Sequence, residues 1–366
     1  MHKTPFWSGI AAAGLLLSAC SDSPASRGAV PRSAGPTPPA VRHYVAHRAI
    51  DSVVIDGNLD DSSWTVAPWT EWFVDIEGDR QPSPEWQTRV AMVWDDRALY
   101  IAAVMEEPHL WATITERDAV IYRDNDFEVF LDPDSDTHAY YELEINALGT
   151  VWDLFLDKPY RDGGSAVNEW DIGGLESAVA LEGTLNDPAD RDRGWSVELA
   201  IPWSGLVGPE GVAESAPVAG DIWRANFSRV QWQLDPVGAG YAKRTDRAGK
   251  VLPEDNWVWS PQDAINMHMP EMWGRIQFTD HAVGDEPVSV IVPADDAVRW
   301  RLRRVYYAQR AQRRETGRYL EQVGDLGLDP TGAGIEVDQT GAYRAWATDP
   351  QGVTWWIDQE GRVWRE

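Results

Sequence analysis

The sequence predicts a mainly β protein, a β-sandwich followed by a small C-terminal α+β domain built as one helix on an antiparallel sheet. Three observations carry this. Short apolar or alternating runs recur between turn signals over most of the chain. A single helical period is confined to the last quarter, where strand-like pieces follow it. The 366 residues suit two domains, and 43% apolar content is enough for packed cores.

In order, Val90 to Trp94 and Ala98 to Val104 flank Asp95-Asp96-Arg97, a hairpin signal. Phe127 to Leu131 alternates loosely. Tyr140 to Asn146 alternates cleanly, with Tyr141, Leu143 and Ile145 on one face and Glu142, Glu144 and Asn146 on the other. Val151 to Leu156 follows the turn at Leu148-Gly149. Ser196 to Ile201, Ile222 to Val230 and Arg275 to Phe278 complete the strands. Asp60 to Ala67 reads as a short helix. In the tail, Val298, Leu302, Val305 and Gln309 share a helical face over Ala294 to Arg314, with Pro293, Asp295 and Asp296 marking its start. Strand-like pieces at Ile335–Val337, Tyr343–Ala347, Thr354–Ile357 and Arg362–Trp364 form its sheet. The tail's order weakly resembles pilin-like domains, and it is a candidate cap for the sandwich or a protein-partner surface.

Charge excludes one class of function. With 32 basic and 59 acidic residues the net charge is −27, the wrong sign for displacing counterions from nucleic acid. Residues 282 to 366 hold 11 basic and 14 acidic residues, so the acidity belongs to the preceding part. That balance remains compatible with divalent cations and neutral sugars. The 21 tryptophans supply flat, rigid apolar area with one polar handle each.

The N-terminus reads as an export signal over 1–20. His2 and Lys3 precede a short apolar run from Ile10, and Leu17-Ser18-Ala19-Cys20 resembles a lipobox. Cys20 is the only cysteine, which fits its use as the lipidated residue and leaves no intrachain disulfide. Ser21 at the next position resembles outer-membrane sorting, so an exported, lipid-anchored envelope protein is expected. Residues 21–45 are rich in Ser, Pro, Ala and Gly and read as a disordered tether. The sandwich is expected over 46–280 and the α+β domain over 281–366.

Several stretches, in order, resemble family 9 carbohydrate-binding modules and their DOMON-like relatives. They are Ile55-Asp56-Gly57-Asn58-Leu59-Asp60 with Trp64, Val93-Trp94-Asp95-Asp96 leading to Leu99-Tyr100-Ile101-Ala102, and Asn125 to Pro133. Glu144-Ile145-Asn146, Gly194 to Glu198 with Ile201-Pro202-Trp203, and Trp259-Ser260 to Trp273-Gly274 complete the set. The resemblance spans roughly 46–280 and implies a β-sandwich that binds sugar chain ends between two aromatic faces, with calcium often bound. It places Tyr122 at the first aromatic position, Glu128 at the hydroxyl-reading carboxylate, and Glu144 at a polar position where a known member has Arg. Asn146 lies two residues further on. Met267 falls at the second aromatic position, a departure, with His268 beside it as a further candidate contact.

Other readings stay open. Glu128 and Glu144 are also the residue types of an acid–base pair, so a glycoside hydrolase or xylanase-associated subunit is an alternative. Some DOMON-like relatives hold haem through Met with His or Lys, which makes His268, Met267, Met269 or Met105 candidate ligands and an electron-transfer domain a further alternative. Asp132, Asp134 and Asp136 alternate in a loop after a strand, a pattern able to share calcium, although the Gly and Glu of an EF-hand are missing. Asp75-x-Glu77-Gly78-Asp79 is a second acidic stretch. One or two of Trp152, Trp170, Trp223, Trp257 and Trp259 are expected to line a cleft, the rest to be core. The arginine-rich helix offers a face for anionic headgroups or, more simply, for the acidic central domain. Serine-hydrolase, zincin, phosphate-loop and cysteine-based signatures are missing. The sequence reading is therefore non-catalytic carbohydrate binding in support of polysaccharide capture or breakdown.

Overall fold

A computed structural model describes residues 37–211 and 214–366. Cys20, the signal segment 1–20 and most of the tether lie outside the described residues. In chain order the strands are β1 (His43–Arg48), β2 (Val74–Asp75), β3 (Thr88–Trp94), β4 (Ala98–Glu106), β5 (Asp126–Asp132), β6 (Tyr140–Asn146) and β7 (Val151–Leu156). There follow β8 (Ala166–Val167), β9 (Glu176–Glu182), β10 (Gly194–Pro202), β11 (Ile222–Gln231), β12 (Leu234–Val237) and β13 (Gly240–Lys243). Then come β14 (Asp255–Val258), β15 (Gly274–Ala282), β16 (Ala333–Val337), β17 (Tyr343–Thr348), β18 (Thr354–Asp358) and β19 (Val363–Arg365). The two α-helices among the described residues are α1 (Ser62–Val66) and α2 (Asp296–Thr316).

The main sheet runs β8-β7-β6-β5-β11-β15-β1-β3-β4-β10-β9, with β14 and β2 branching from β11. It folds over at β11. The first half of that strand pairs with β15 and its second half with β14, while β5 lies along its other edge. Two layers result. Phe127, Val129, Leu131, Tyr141, Leu143 and Ile145 of one layer pack against Val90, Met92, Leu99, Ile101, Val197 and Leu199 of the other. This is the period-2 alternation of a sandwich.

Both outer faces are also covered. Trp64 of α1 and Val53 pack on Ala91, Val93, Tyr100 and Ala200. On the opposite layer Ile121 and Trp273 cover Phe130, Tyr140, Trp152, Leu154 and Leu156. A remote loop is tied down by Glu198 of β10. Its carboxylate accepts from the backbone N–H groups of Asp56 and Gly57 at 3.0 Å and from Trp64 Nε1 at 2.6 Å. Gly57 has φ of 87°, and a Cβ there would lie 2.7 Å from the Val179 backbone, so glycine is required.

One boundary is corrected. The expected tether reaches 45, but β1 begins at His43 and pairs in parallel with β15. Its composition looks like linker, yet Tyr44 is buried, with its hydroxyl 2.6 Å from the Pro68 carbonyl and accepting from the Met92 N–H at 2.9 Å.

The tail forms as expected, α2 on the antiparallel sheet β16-β17-β18-β19. It shares a core with the sandwich. Met269, Met272 and Ala264 cluster with Val298, Leu302, Val305, Tyr343 and Ile357. The helix arginines mostly face protein. Arg299 donates to the Ser135 carbonyl at 2.7 Å, Arg303 to Thr137 Oγ1 at 3.1 Å, and Arg310 to Asp162 at 2.6 Å.

Candidate functional site

The outer face of β5, β6, β7 and β11 holds the predicted carboxylates. Alternation sends Asp126 and Glu128 outward from β5 and Glu142 and Glu144 outward from β6. The register sets Glu128 opposite Glu144 on one side and opposite Ser228 on the other. Trp152 stands opposite Glu144. These are not solvated surface charges: Asp126 is 0%, Glu128 5%, Glu144 1% and Ser228 0% exposed.

Burial pushes the Glu128 carboxyl up to about 7. It also lifts Asp126, Glu142 and Glu144 well above their ordinary range, and the neighbouring carboxylates add to the effect. Oxygens of Asp126, Glu128 and Glu144 lie within 4.8 Å of one another. Among the described residues none of these four carboxylates has an ion-pair partner. The nearby Arg229 is committed to Glu107 at 3.0 Å.

Tyr122 sits in a short turn of 3-10 helix, Ile121–Arg123, above this face. Its N–H donates to Glu144 Oε2 at 2.8 Å and its carbonyl accepts from Trp232 Nε1 at 2.9 Å. Tyr122 and Met267 are both half-buried and pack against the same apolar cluster of Phe130, Tyr140, Trp152 and Trp273. The structure thus brings Tyr122, Met267, Glu128 and Glu144 to one face.

Two predicted contacts do not reach a ligand. Asn146 is buried and fully used. Its Nδ2 donates to the Ile114 carbonyl at 2.9 Å and to Asp124 at 3.1 Å, and its Oδ1 accepts from the N–H groups of Leu148 and Thr150. It holds a turn instead of reading hydroxyls. His268 is 8% exposed, with Nδ1 3.0 Å from the Tyr140 hydroxyl and its ring edge-on to Phe130 and Tyr160. Burial and then Arg161 hold its pKa down at about 3, so it stays neutral.

The haem candidates are not brought together as one set, although Met267 is half-buried next to His268. Met105 lies in the inter-layer core, Met269 in the core shared with the tail, and His268 under the outer face. Asp132, Asp134 and Asp136 do fit a hard cation: three carboxylate oxygens lie within 4.8 Å, and the fully buried Asp132 Oδ1 has no partner. Part of their capacity is taken. Asp132 Oδ2 accepts from the Thr137 N–H at 3.1 Å, and Asp136 binds Arg362 of the tail at 2.7 Å. In the other acidic stretch, Asp75 and Glu77 are occupied locally, by the Glu77 N–H and by Arg80.

Beside Tyr122 an open cleft of about 370 Å³ runs between the loop after β2 and the end of β11. Trp86, Trp232 and Trp257 present apolar surface to it, and Gln81, Gln231 and Arg244 supply hydrogen-bonding groups. Trp257 is the one expected cleft tryptophan that lines it, while itself 5% exposed and part of the inter-layer core. Trp152, Trp223 and Trp259 are buried in packed clusters, and Trp170 packs against the inter-layer core. Trp86 and Trp232 were missed because neither lies on an alternating run. The available signal was Gln231-Trp232-Gln233, an aromatic between two amides directly after a strand.

Fold and site together define a β-sandwich with a closed acidic face and an open aromatic cleft. Residues 55–220 match the family model described as carbohydrate family 9 binding domain-like, and the chain carries such a domain. It is 27% identical over 235 residues to the exoglucanase XynX of Acetivibrio thermocellus, an alignment covering 58% of this chain and 19% of that enzyme. The chain thus spans about a fifth of that relative's length. Two solved structures are similar. One is a family 9 carbohydrate-binding module from Caldicellulosiruptor kristjanssonii in complex with cellotriose, at 17% identity and TM-score 0.41, covering 68% of this chain and all of that one. The other is a putative carbohydrate-binding protein from Bacteroides uniformis, at 17% identity and TM-score 0.46, covering 65% of this chain and all of that one.

Proposed function

We propose that this protein binds a neutral glycan without cleaving it. The single observation that carries the reading is an open cleft, walled by Trp86, Trp232 and Trp257, set in a family-9-like domain. Tryptophan faces accept the C–H faces of a pyranose while amides and a guanidinium pair with its hydroxyls. Trp232 hydrogen-bonds Tyr122, so the cleft adjoins the aromatic position that the family resemblance singles out. The net charge of −27 disfavours anionic polysaccharides. Hydrolysis is disfavoured because the paired carboxylates are closed beneath one face. They do not flank a space where a glycosidic bond could lie.

Calcium at Asp132, Asp134 and Asp136 is proposed as a brace for the loop that the tail grips. Export and lipid anchoring at Cys20, with outer-membrane placement, complete the reading: a tethered protein that holds polysaccharide at the cell surface. Replacing Cys20 by Ser is expected to move the protein from the membrane to the soluble fraction, and retention in the membrane would contradict the anchor.

The binding reading is tested by titrating cello-, xylo- and manno-oligosaccharides into the full chain and following tryptophan fluorescence. One class is expected to saturate. Trp86→Ala, at a half-buried position that packs against the edge of the inter-layer core, is expected to weaken it about 10-fold, roughly 1.4 kcal/mol. Saturation unchanged in Trp86→Ala and in Trp232→Ala would remove the cleft from the account.

A further inference from the structure

Trp72 lies outside the open cleft and belongs to none of the apolar clusters. At 42% it is more exposed than any other described tryptophan. It is held still all the same. The Arg89 guanidinium stacks 4.6 Å from its ring and 4.7 Å from that of Trp69. The Trp72 carbonyl accepts from Arg42 Nη1 at 2.8 Å. A large flat ring fixed in place and left in water is costly unless something covers it, and fixing it beforehand lowers the entropy cost of binding.

Beside this ring is a pocket of about 190 Å³ on the outer face of β3, β4 and β10, where Gln87, Glu106, Glu182, Arg193 and Ser196 supply polar groups. Gly194 stands opposite both Glu106 and Glu182 and carries no side chain to fill the space between them. One aromatic face with convergent amides, carboxylates and a guanidinium is the chemistry of a pyranose site. The pocket also adjoins the cleft. Trp86 walls the cleft and the next residue, Gln87, lines the pocket, while Glu107 and Glu106 do the same on the neighbouring strand. The Glu106 N–H donates to the Gln87 carbonyl at 2.9 Å. Successive residues of a strand point to opposite faces and advance only about 3.3 Å. Cleft and pocket therefore lie on the two sides of one lip, made by the start of β3 and the end of β4.

We propose that the Trp72 pocket is a second glycan subsite, and that one linear neutral chain crosses the lip and occupies both. The chain is then held along its length and not clamped only at its end, as the family resemblance alone would imply. This rests on the glycan reading of the cleft.

The test is calorimetric titration of the full chain with cello-, xylo- and manno-oligosaccharides, each as disaccharide and as hexasaccharide. In the class that binds, wild type is expected to hold the hexasaccharide about 10-fold more tightly, because only the longer chain reaches both subsites. Trp72→Ala is expected to remove that gain, bringing the hexasaccharide down to the disaccharide. Trp86→Ala is expected to weaken the disaccharide itself. Arg193→Ala, at a side chain that is 82% exposed, is expected to reduce the gain. Equal affinity for the two lengths in wild type overturns the second subsite and leaves the cleft standing. A Trp72→Ala protein that keeps the whole gain does the same. If Trp72→Ala does not fold, Arg193→Ala decides, and an undiminished gain there overturns the proposal. A wild type that binds neither length of any class is a failure of the cleft reading, and the second subsite falls with it.

Discussion

Glu271 shows how one side chain joins the sandwich to its tail. Arg161 straddles it, with Nη2 donating to Oε2 at 2.8 Å and Nη1 2.8 Å from Oε1, and Tyr307 of α2 donates its hydroxyl to the same carboxylate. Burial alone would raise this carboxyl, but Arg161, followed by Arg303, holds it down at about 2. Its stabilisation is therefore complete above about pH 4.5 and is lost as pH falls through about 2. Glu271→Ala strips the buried Arg161 of its bidentate partner and leaves it only Asp162 at 3.2 Å, an expected cost of about 3 kcal/mol, read as a lower melting temperature at pH 7. It should also remove that segment of acid lability. A variant that melts like wild type at neutral pH would contradict this role. None of it was legible in the sequence. Glu271 follows a Met-rich loop that reads as a ligand contact, and its partners lie 110 residues before it and 36 after it.

Strands were legible where they carry their own alternation and illegible where they borrow partners. Tyr140 to Asn146 gave both faces of β6 correctly, because pleat direction is a local property. The alternation could not show that the polar face is buried too, since its cover comes from Ile121 and Trp273, remote in sequence. The same blindness made Asn146 and His268 look available. β1 was lost in linker-like composition because its pairing is with β15, more than 200 residues away. The motif around Gly57 was legible as a resemblance, and Glu198 supplies its physical reason. Glu198→Ala would leave the Asp56 and Gly57 N–H groups and Trp64 Nε1 without an acceptor, an expected loss of about 3 kcal/mol. Gly57→Ala is expected to destabilise the same loop through φ of 87° and its clash with Val179. Glu198→Ala melting within a degree of wild type would sink this explanation of the loop.

At the scale of the whole molecule, the tail and sandwich share one apolar cluster and a buried ion network, so they should unfold together. Calorimetry on the full chain is expected to give a single transition, and two separated transitions would contradict a shared core. Helix and sheet in the tail were readable from period alone. Its docking was not, beyond the expectation that a basic helix would face an acidic domain, which Arg310 on Asp162 bears out. The docked tail packs on the loop that carries Met269 and Met272, leaving the Trp86, Trp232 and Trp257 cleft as the open polar site beside Tyr122. The most direct measurement is therefore a fluorescence titration of the full chain with a panel of soluble neutral glycans, wild type beside Trp86→Ala. The account predicts saturable binding to one glycan class that weakens about 10-fold in the variant. A wild type that responds to no glycan would contradict carbohydrate binding itself.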